Sequence, residues 1–187
     1  MDREEIEARL AITDVLHRYA RAMDRMDAPL ALSCWHPGGT DDHAPLYSGT
    51  AAGFIEWLWP VHATLELTRH SISNVLIEVD GSRAATECYW QVTLRKKFGE
   101  DIWDSISQGR YIDRFERIDG SWAINHRQSL MDWNRTEKVL HRRGDPGVPI
   151  IVEPNNPEVQ PPPNRRDHGD YSYSALTHRS PGRVSVG

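Results

Sequence analysis

The sequence predicts an α+β domain in which helices come first and a meander of antiparallel strands follows. Three observations predict it. Apolar residues recur at the helical period over residues 4–25, and the period changes to two from Thr68 onward. Asp80-Gly81 and Asp119-Gly120 then mark hairpin turns in the second half. Long hairpin-linked strands twist strongly, so the sheet is expected to curl around the helices and leave a cavity between them.

Each element follows in order. Ile12, Val15, Leu16, Tyr19, Met23 and Met26 form the apolar stripe of the first helix, and no proline interrupts it. Asp27 is suited to cap a second helix with Pro29 in its first turn, running to about Trp35. His36 to Gly49 reads as irregular, because Pro37, Gly38, Gly39 and Pro45 break regular structure. Thr50 caps a third helix with Phe54, Ile55, Trp57, Leu58, Val61 and Leu65, which Pro60 is expected to kink or split. The first strand opens near Thr68, where Val75, Ile77 and Val79 alternate with Asn74, Leu76 and Glu78. The return strand, from about Arg83 to Lys97, carries Ala84, Thr86, Cys88, Trp90, Val92 and Leu94 on one face. Phe98-Gly99-Glu100-Asp101 turns the chain into a strand from about Ile102 to Ile118, and the last strand runs from Trp122 to about Trp133.

This domain is expected over residues 1–140. The segment 141–187 holds eight of the twelve prolines, including Pro161-Pro162-Pro163, and little regular structure is expected there. Its aromatic end, Tyr171-Ser172-Tyr173, points to docking on a pocket or a neighbouring subunit rather than free disorder.

Composition narrows the function. A net charge of -5 with 26% charged residues reads as soluble and globular, and without a basic stripe no nucleic-acid partner is expected. Met1-Asp2-Arg3-Glu4-Glu5 lacks the basic start of a signal peptide, and no apolar run approaches the roughly 18 residues of a spanning helix. A cytoplasmic location with no membrane partner is the expectation. Cys34 and Cys88 are then expected to be reduced and partly buried. Walker, Gly-x-Gly-x-x-Gly and Gly-x-Ser-x-Gly motifs are missing, so neither a nucleotide cofactor nor serine hydrolysis is supported.

Candidate chemistry lies in Tyr19, Asp24, His70 and Arg127. Imidazole titrates near neutral pH and suits a general base; a carboxylate on its second nitrogen fixes the tautomer and stabilises the cation. Tyr19 and Asp24, five apart, do not share a helix face, but both border the helix end, about 7.5 Å apart along the axis. Asp24 lies near the helix C-terminus, where an anion is disfavoured unless a partner compensates it. Arg127 alternates with His126 on the last strand, and an inward arginine suits either a departing anion or an ion pair with Asp24 or Glu87. Asp41-Asp42-His43 offers oxygen and nitrogen ligands, but adjacent loop residues rarely converge on one ion, so no metal is expected; His43 is instead a pocket candidate. Among the seven tryptophans, Trp35, Trp57, Trp59 and Trp90 are candidates for an apolar lining suited to a ring-shaped ligand.

Taken in order, these segments resemble the SnoaL-like families of the nuclear transport factor 2 superfold, over about residues 4–134. The pieces are Tyr19-Ala20-Arg21-Ala22-Met23-Asp24, Trp35-His36-Pro37 with Asp41-Asp42-His43, and Tyr47-Ser48-Gly49. Thr68-Arg69-His70-Ser71-Ile72-Ser73-Asn74, Gly109-Arg110-Tyr111-Ile112-Asp113-Arg114-Phe115 and Asp119-Gly120-Ser121-Trp122 leading to Arg127 complete the set. The placement of Asp24 and His70 is similar to that in lindane dehydrochlorinase, scytalone dehydratase and bile acid 7α-dehydratase. Tyr19 matches the last of these, and Arg127 matches the dehydrochlorinase arginine. The resemblance implies a cone-shaped barrel, no cofactor and a homo-oligomer, a trimer before a dimer.

The resulting expectation is a cofactor-independent lyase, a dehydratase or dehydrohalogenase, acting on a small hydrophobic cyclic substrate such as a steroid. His70 is the base, Asp24 its orienter, and Tyr19 or Arg127 assists the leaving group. The alternatives are a ketosteroid-type isomerase and a non-catalytic ligand-binding module or dioxygenase small subunit.

Overall fold

The computed structural model describes residues 1–141, 145–149, 155–156, 158, 162 and 164–176. The chain divides into two units, Met1–Leu140 and His141–Gly187. The first opens with helices α1 (Arg3–Arg25) and α2 (Ala28–Leu32), then strands β1 (Trp35–His43) and β2 (Tyr47–Thr50) and helix α3 (Ala51–Ala63). It ends in β3 (Leu67–Asp80), β4 (Arg83–Phe98), β5 (Asp101–Ile118) and β6 (Ser121–Lys138). Six strands form one sheet in the order β2-β1-β6-β5-β4-β3. Only the β1–β6 pairing in it is parallel. The fold is α+β, as expected, and the sheet is an open mixed one with edges at β2 and β3 rather than a closed barrel.

Local chemistry explains the helix ends. Asp2 caps α1 by accepting the Glu5 N–H, and Glu4 and Glu5 place negative charge at the positive end of the helix dipole. Met26 closes the helix in the left-handed region at φ 53°. Asp27 caps α2 through the Leu30 N–H at 3.0 Å, and Thr50 caps α3 through the Gly53 N–H at 3.1 Å. α3 runs through Pro60 as one helix and is not split there. Both Pro60 and Glu56, whose carbonyl loses its donor, lie on the exposed side, where that carbonyl can be solvated.

The span His36–Gly49 corrects the sequence expectation, because it forms β1 and β2 rather than an irregular loop, and Trp35 begins β1 rather than ending α2. The reason is long-range pairing. β1 takes its partners from β6, with Thr40, Asp41 and Asp42 opposite His126, Arg127 and Gln128. Pro37, Gly38 and Gly39 fall in a register shift between Trp35 and Thr40, where Gly38 adopts φ 80°. The breakers are therefore real but confined to one irregularity.

A second irregularity orients β3. The inward residues of its first half are Thr68, His70 and Ile72; those of its second half are Val75, Ile77 and Val79. The parity switches because the register shifts between Ser73 and Leu76, at Asn74, which sits at φ 50°. One extra residue lets His70 and Ile77 face the same side. Elsewhere the alternation in β4 is as the sequence predicts, with Ala84, Thr86, Cys88 and Trp90 buried.

The core lies between α1 and the concave face of the sheet. Ile12, Val15, Leu16, Tyr19 and Met23 of α1 pack there with Phe115 and Ile124. In the second unit Asp170 caps a short helix α4 (Tyr171–Ala175), so the aromatic end carries regular structure that the proline content did not suggest. Of the triple proline, Pro161 and Pro163 lie outside the described residues.

Both cysteines are free and fully buried, and burial pushes each thiol up to about 11. Because the folded state holds these protons more tightly than the unfolded chain, their contribution to stability is complete below about pH 9. It is lost as pH rises from there through about 11. Urea midpoints measured across that range should fall, and a thiol-directed disulfide reagent at pH 8 should label neither cysteine until the protein is unfolded. Rapid native labelling would contradict this burial.

Candidate functional site

Asp24 and His70 meet where the end of α1 crosses the start of β3. The two elements are also stitched by the Thr68 hydroxyl, which donates to the Met23 carbonyl at 3.4 Å. The Asp24 carboxylate accepts three hydrogen bonds from one residue. The His70 backbone N–H donates to both oxygens at 3.0 and 2.9 Å, and the ring Nδ1 donates to Oδ1 at 2.6 Å. These donors answer the electrostatic problem of an anion at a helix C-terminus. The carboxylate, an acceptor only, puts the proton on Nδ1 of a ring that lines a cavity. Both side chains are largely buried, at 9% and 14% exposure.

The cavity lies between the sheet and α3 and encloses about 170 Å³. That is comparable to the roughly 150 Å³ known to hold benzene, so there is room for at least one ring. Met23, Phe54, Leu58, Trp90 and Val92 make its walls apolar. Trp90 packs over Gly109, where a Cβ would lie 2.6 Å from the indole; only glycine leaves that wall room. The phenols of Tyr19 and Tyr111 reach the same cavity. Burial raises both above their ordinary range, so each is a neutral hydrogen-bond donor and not a base.

A second histidine–carboxylate pair borders this cavity. His43 hydrogen-bonds through Nδ1 to Asp41 Oδ1, while its ring stacks on Phe54 with centroids 4.5 Å apart and meets Tyr111 edge-on at 5.9 Å. Asp41 is 1% exposed, and its Oδ2 has no hydrogen-bond partner. Sequence reasoning treated these residues as loop neighbours. On a strand, residues two apart share a face, and that spacing was the available signal. Tyr111 and Ser129, also on the lining, carried no signal beyond strand alternation.

Arg127 is placed differently from the expectation. It is 0% exposed, does not line the cavity, and makes a bidentate ion pair with Asp113 at 2.8 and 2.6 Å. Its guanidinium centre lies 3.8 Å from the Tyr111 ring, 4.3 Å from Tyr19 and 5.5 Å from Trp35. Burial opposes its charge, and the Asp113 carboxylate reverses that and keeps it protonated. The role at a leaving group therefore has no access, and the partner is Asp113 rather than Asp24 or Glu87. Trp35 is likewise buried beside Arg127 and off the cavity wall, whereas Trp57, 39% exposed, and Trp90 line the cavity. Among the described residues, no three His, Cys, Asp or Glu side chains cluster as a metal site requires. No described helix is long and apolar enough to cross a membrane.

Asp113→Ala should cost about 3–5 kcal/mol, because it leaves the Arg127 charge buried and unpaired. Replacing the pair together, Asp113→Leu with Arg127→Met, should cost less than that single change. Urea denaturation of the two variants checks the order, and a larger loss in the double variant would refute it.

Comparison with known proteins follows the same geometry. A search of curated proteins finds no match. The fold is similar to that of a type 2 hexachlorocyclohexane dehydrochlorinase, with TM-score 0.68, 16% identity, and coverage of 79% of this chain and 100% of that one. A Novosphingobium aromaticivorans protein provisionally assigned as a scytalone dehydratase gives TM-score 0.62 at 20% identity, covering 74% and 91%. The Kfla4162 protein of Kribbella flavida gives 0.61 at 17% identity, covering 68% and 92%. At these identities the likeness establishes the fold. The family model for the SnoaL-like domain matches residues 4–128, and the chain belongs to that family.

Proposed function

We propose that this protein is a cofactor-independent lyase that eliminates water or halide from a small, hydrophobic cyclic substrate. The observation that carries the reading is the Asp24–His70 pair, joined at 2.6 Å, with the His70 ring on the wall of an apolar cavity. In the reaction His70 Nε2 takes a proton from carbon. The C–H electron pair becomes the new double bond, and the neighbouring carbon releases its leaving group with the bonding pair. Asp24 holds the ring in place and stabilises the imidazolium as it forms. Tyr19, a neutral donor on the wall, polarises an oxygen of the substrate. A dehydrochlorinase is built on the same fold, which supports elimination as the reaction class.

The cavity has room for at least one six-membered ring. A weakly basic imidazole needs an acidified C–H bond, so a ring carbonyl beside the reacting carbon suits the two neutral phenols. The same phenols favour a second reading, proton transfer along a conjugated cyclic ketone, in which Tyr19 holds the enolate oxygen.

Purified protein incubated without cofactor with cyclic hydroxyketones, chlorinated rings and conjugated cyclic ketones separates the readings by mass spectrometry. Elimination lowers the mass by water or hydrogen chloride, and isomerisation leaves it unchanged. His70→Ala and Asp24→Asn should each lower kcat/KM by roughly 10²–10⁴ while far-UV circular dichroism is retained. Full turnover by His70→Ala would remove the proposed base.

A further inference from the structure

We propose that Tyr111 and Ser129 anchor a second oxygen of the substrate, at the end of the cavity away from His70. The substrate class is then a small ring that carries an acceptor oxygen across the ring from the carbon that loses its proton. This deepens the elimination reading and rests on His70 as the base.

The register of the sheet sorts the cavity wall into layers. His70 on β3 pairs with Val92 on β4. The next inward row along the strands joins Trp90, Gly109 and Met131. The row after that joins Cys88, Tyr111 and Ser129. Val92 and Cys88 are four residues apart on one strand, about 13 Å at roughly 3.3 Å per residue. Both His70 and the Tyr111–Ser129 pair nevertheless line the same cavity, with Trp90 and Met131 between them. The wall thus runs from an imidazole, through an indole and a thioether, to two hydroxyls. A ligand that matches it is polar at both ends and apolar in the middle.

The two hydroxyls are unusual within this wall. Tyr111 is 4% exposed and Ser129 8%, and among the described residues neither side-chain oxygen makes a hydrogen bond. The unpartnered polar atoms sealed inside the described core are others, such as Thr86 Oγ1 and the Trp90 indole nitrogen. The Tyr111 and Ser129 oxygens therefore reach open space, and for side chains this buried that space is the cavity. Tyr111 stays protonated because burial raises its pKa, and the Arg127 guanidinium 3.8 Å from its ring makes the phenol a better donor. A carbonyl, ether or hydroxyl oxygen can accept from these groups. A hydrocarbon in the same place leaves two buried donors unsatisfied.

Cyclohexanone and methylenecyclohexane have nearly the same shape and differ in that one oxygen. Neither carries a leaving group, so their binding is read independently of elimination. Dissociation constants come from NMR titrations of wild type, Tyr111→Phe, Ser129→Ala and His70→Ala. Tyr111→Phe and Ser129→Ala should each weaken cyclohexanone about threefold to tenfold and leave methylenecyclohexane within about twofold. His70→Ala should leave the ratio of the two constants within about twofold, because the oxygen sits at the other end. If Tyr111→Phe does not fold, Ser129→Ala decides alone. An unchanged ratio in a folded hydroxyl variant, equal weakening of both probes, or a wild type that binds neither would overturn the proposal. A ratio shifted as far by His70→Ala would place the oxygen beside the base and overturn it too. An anchor that passes this test in a protein with no turnover would instead remove the elimination reading.

Discussion

The buried ion pair of Arg127 and Asp113 is the constraint on which the rest of the domain depends. It ties β5 to β6 through two short hydrogen bonds, and the guanidinium is caged by Tyr19 from α1, Tyr111 from β5 and Trp35 from β1. Four elements thus converge on one charge. Desolvating such a pair costs several kcal/mol per ion, and only bidentate geometry with favourable aromatic faces offsets it. The gain is specificity of placement. Arg127 lies over the ring of Tyr19, which lines the cavity, and the parallel pairing sets Asp41 of β1 opposite Arg127. An arginine that resembles a catalytic group in sequence acts here as the hub beneath the cavity.

Above that hub the cavity is built by curvature, by the alternation of β1 and by the register shift in β3. The bulge at Asn74 turns His70 inward without turning Ile77 outward. On β1, Asp41 and His43 share the parity of the buried Trp35 and so lie on the inner face. The outcome is a small apolar space with polar groups at a few points, two imidazoles each fixed by a carboxylate and two phenols kept neutral by burial. In the proposed reaction such a site would handle protons by position. The apolar walls strengthen each electrostatic contact, and each carboxylate fixes which nitrogen of its imidazole carries the proton.

Much of this was legible from local rules. The stripe Ile12, Val15, Leu16, Tyr19, Met23 and the alternation Ala84, Thr86, Cys88, Trp90 reported their own buried faces, because periodicity is a direct imprint of one-sided burial. The caps Asp27 and Thr50 were legible for the same reason: each bond spans three residues. Pro37, Gly38 and Gly39 misled because breakers are read locally, while β1 is held by a strand from the far end of the domain. Pro60 misled because its cost depends on whether the freed carbonyl meets water, and that is a matter of which side faces out.

By itself, the sequence determined the order of the three N-terminal helices and the four long strands, the inner face of β4, and the candidacy of Asp24 and His70. Those properties depend on residues close together in the chain. The tertiary structure decided which of the polar candidates share a space. It joined Asp24 to His70 and Asp41 to His43 beside one cavity, and withdrew Arg127 and Trp35 into the core beneath it. The physical reason is that burial and pairing of a charge are set by the neighbours that sheet curvature and strand register bring together. Neither quantity is encoded in the spacing of the residues along the chain.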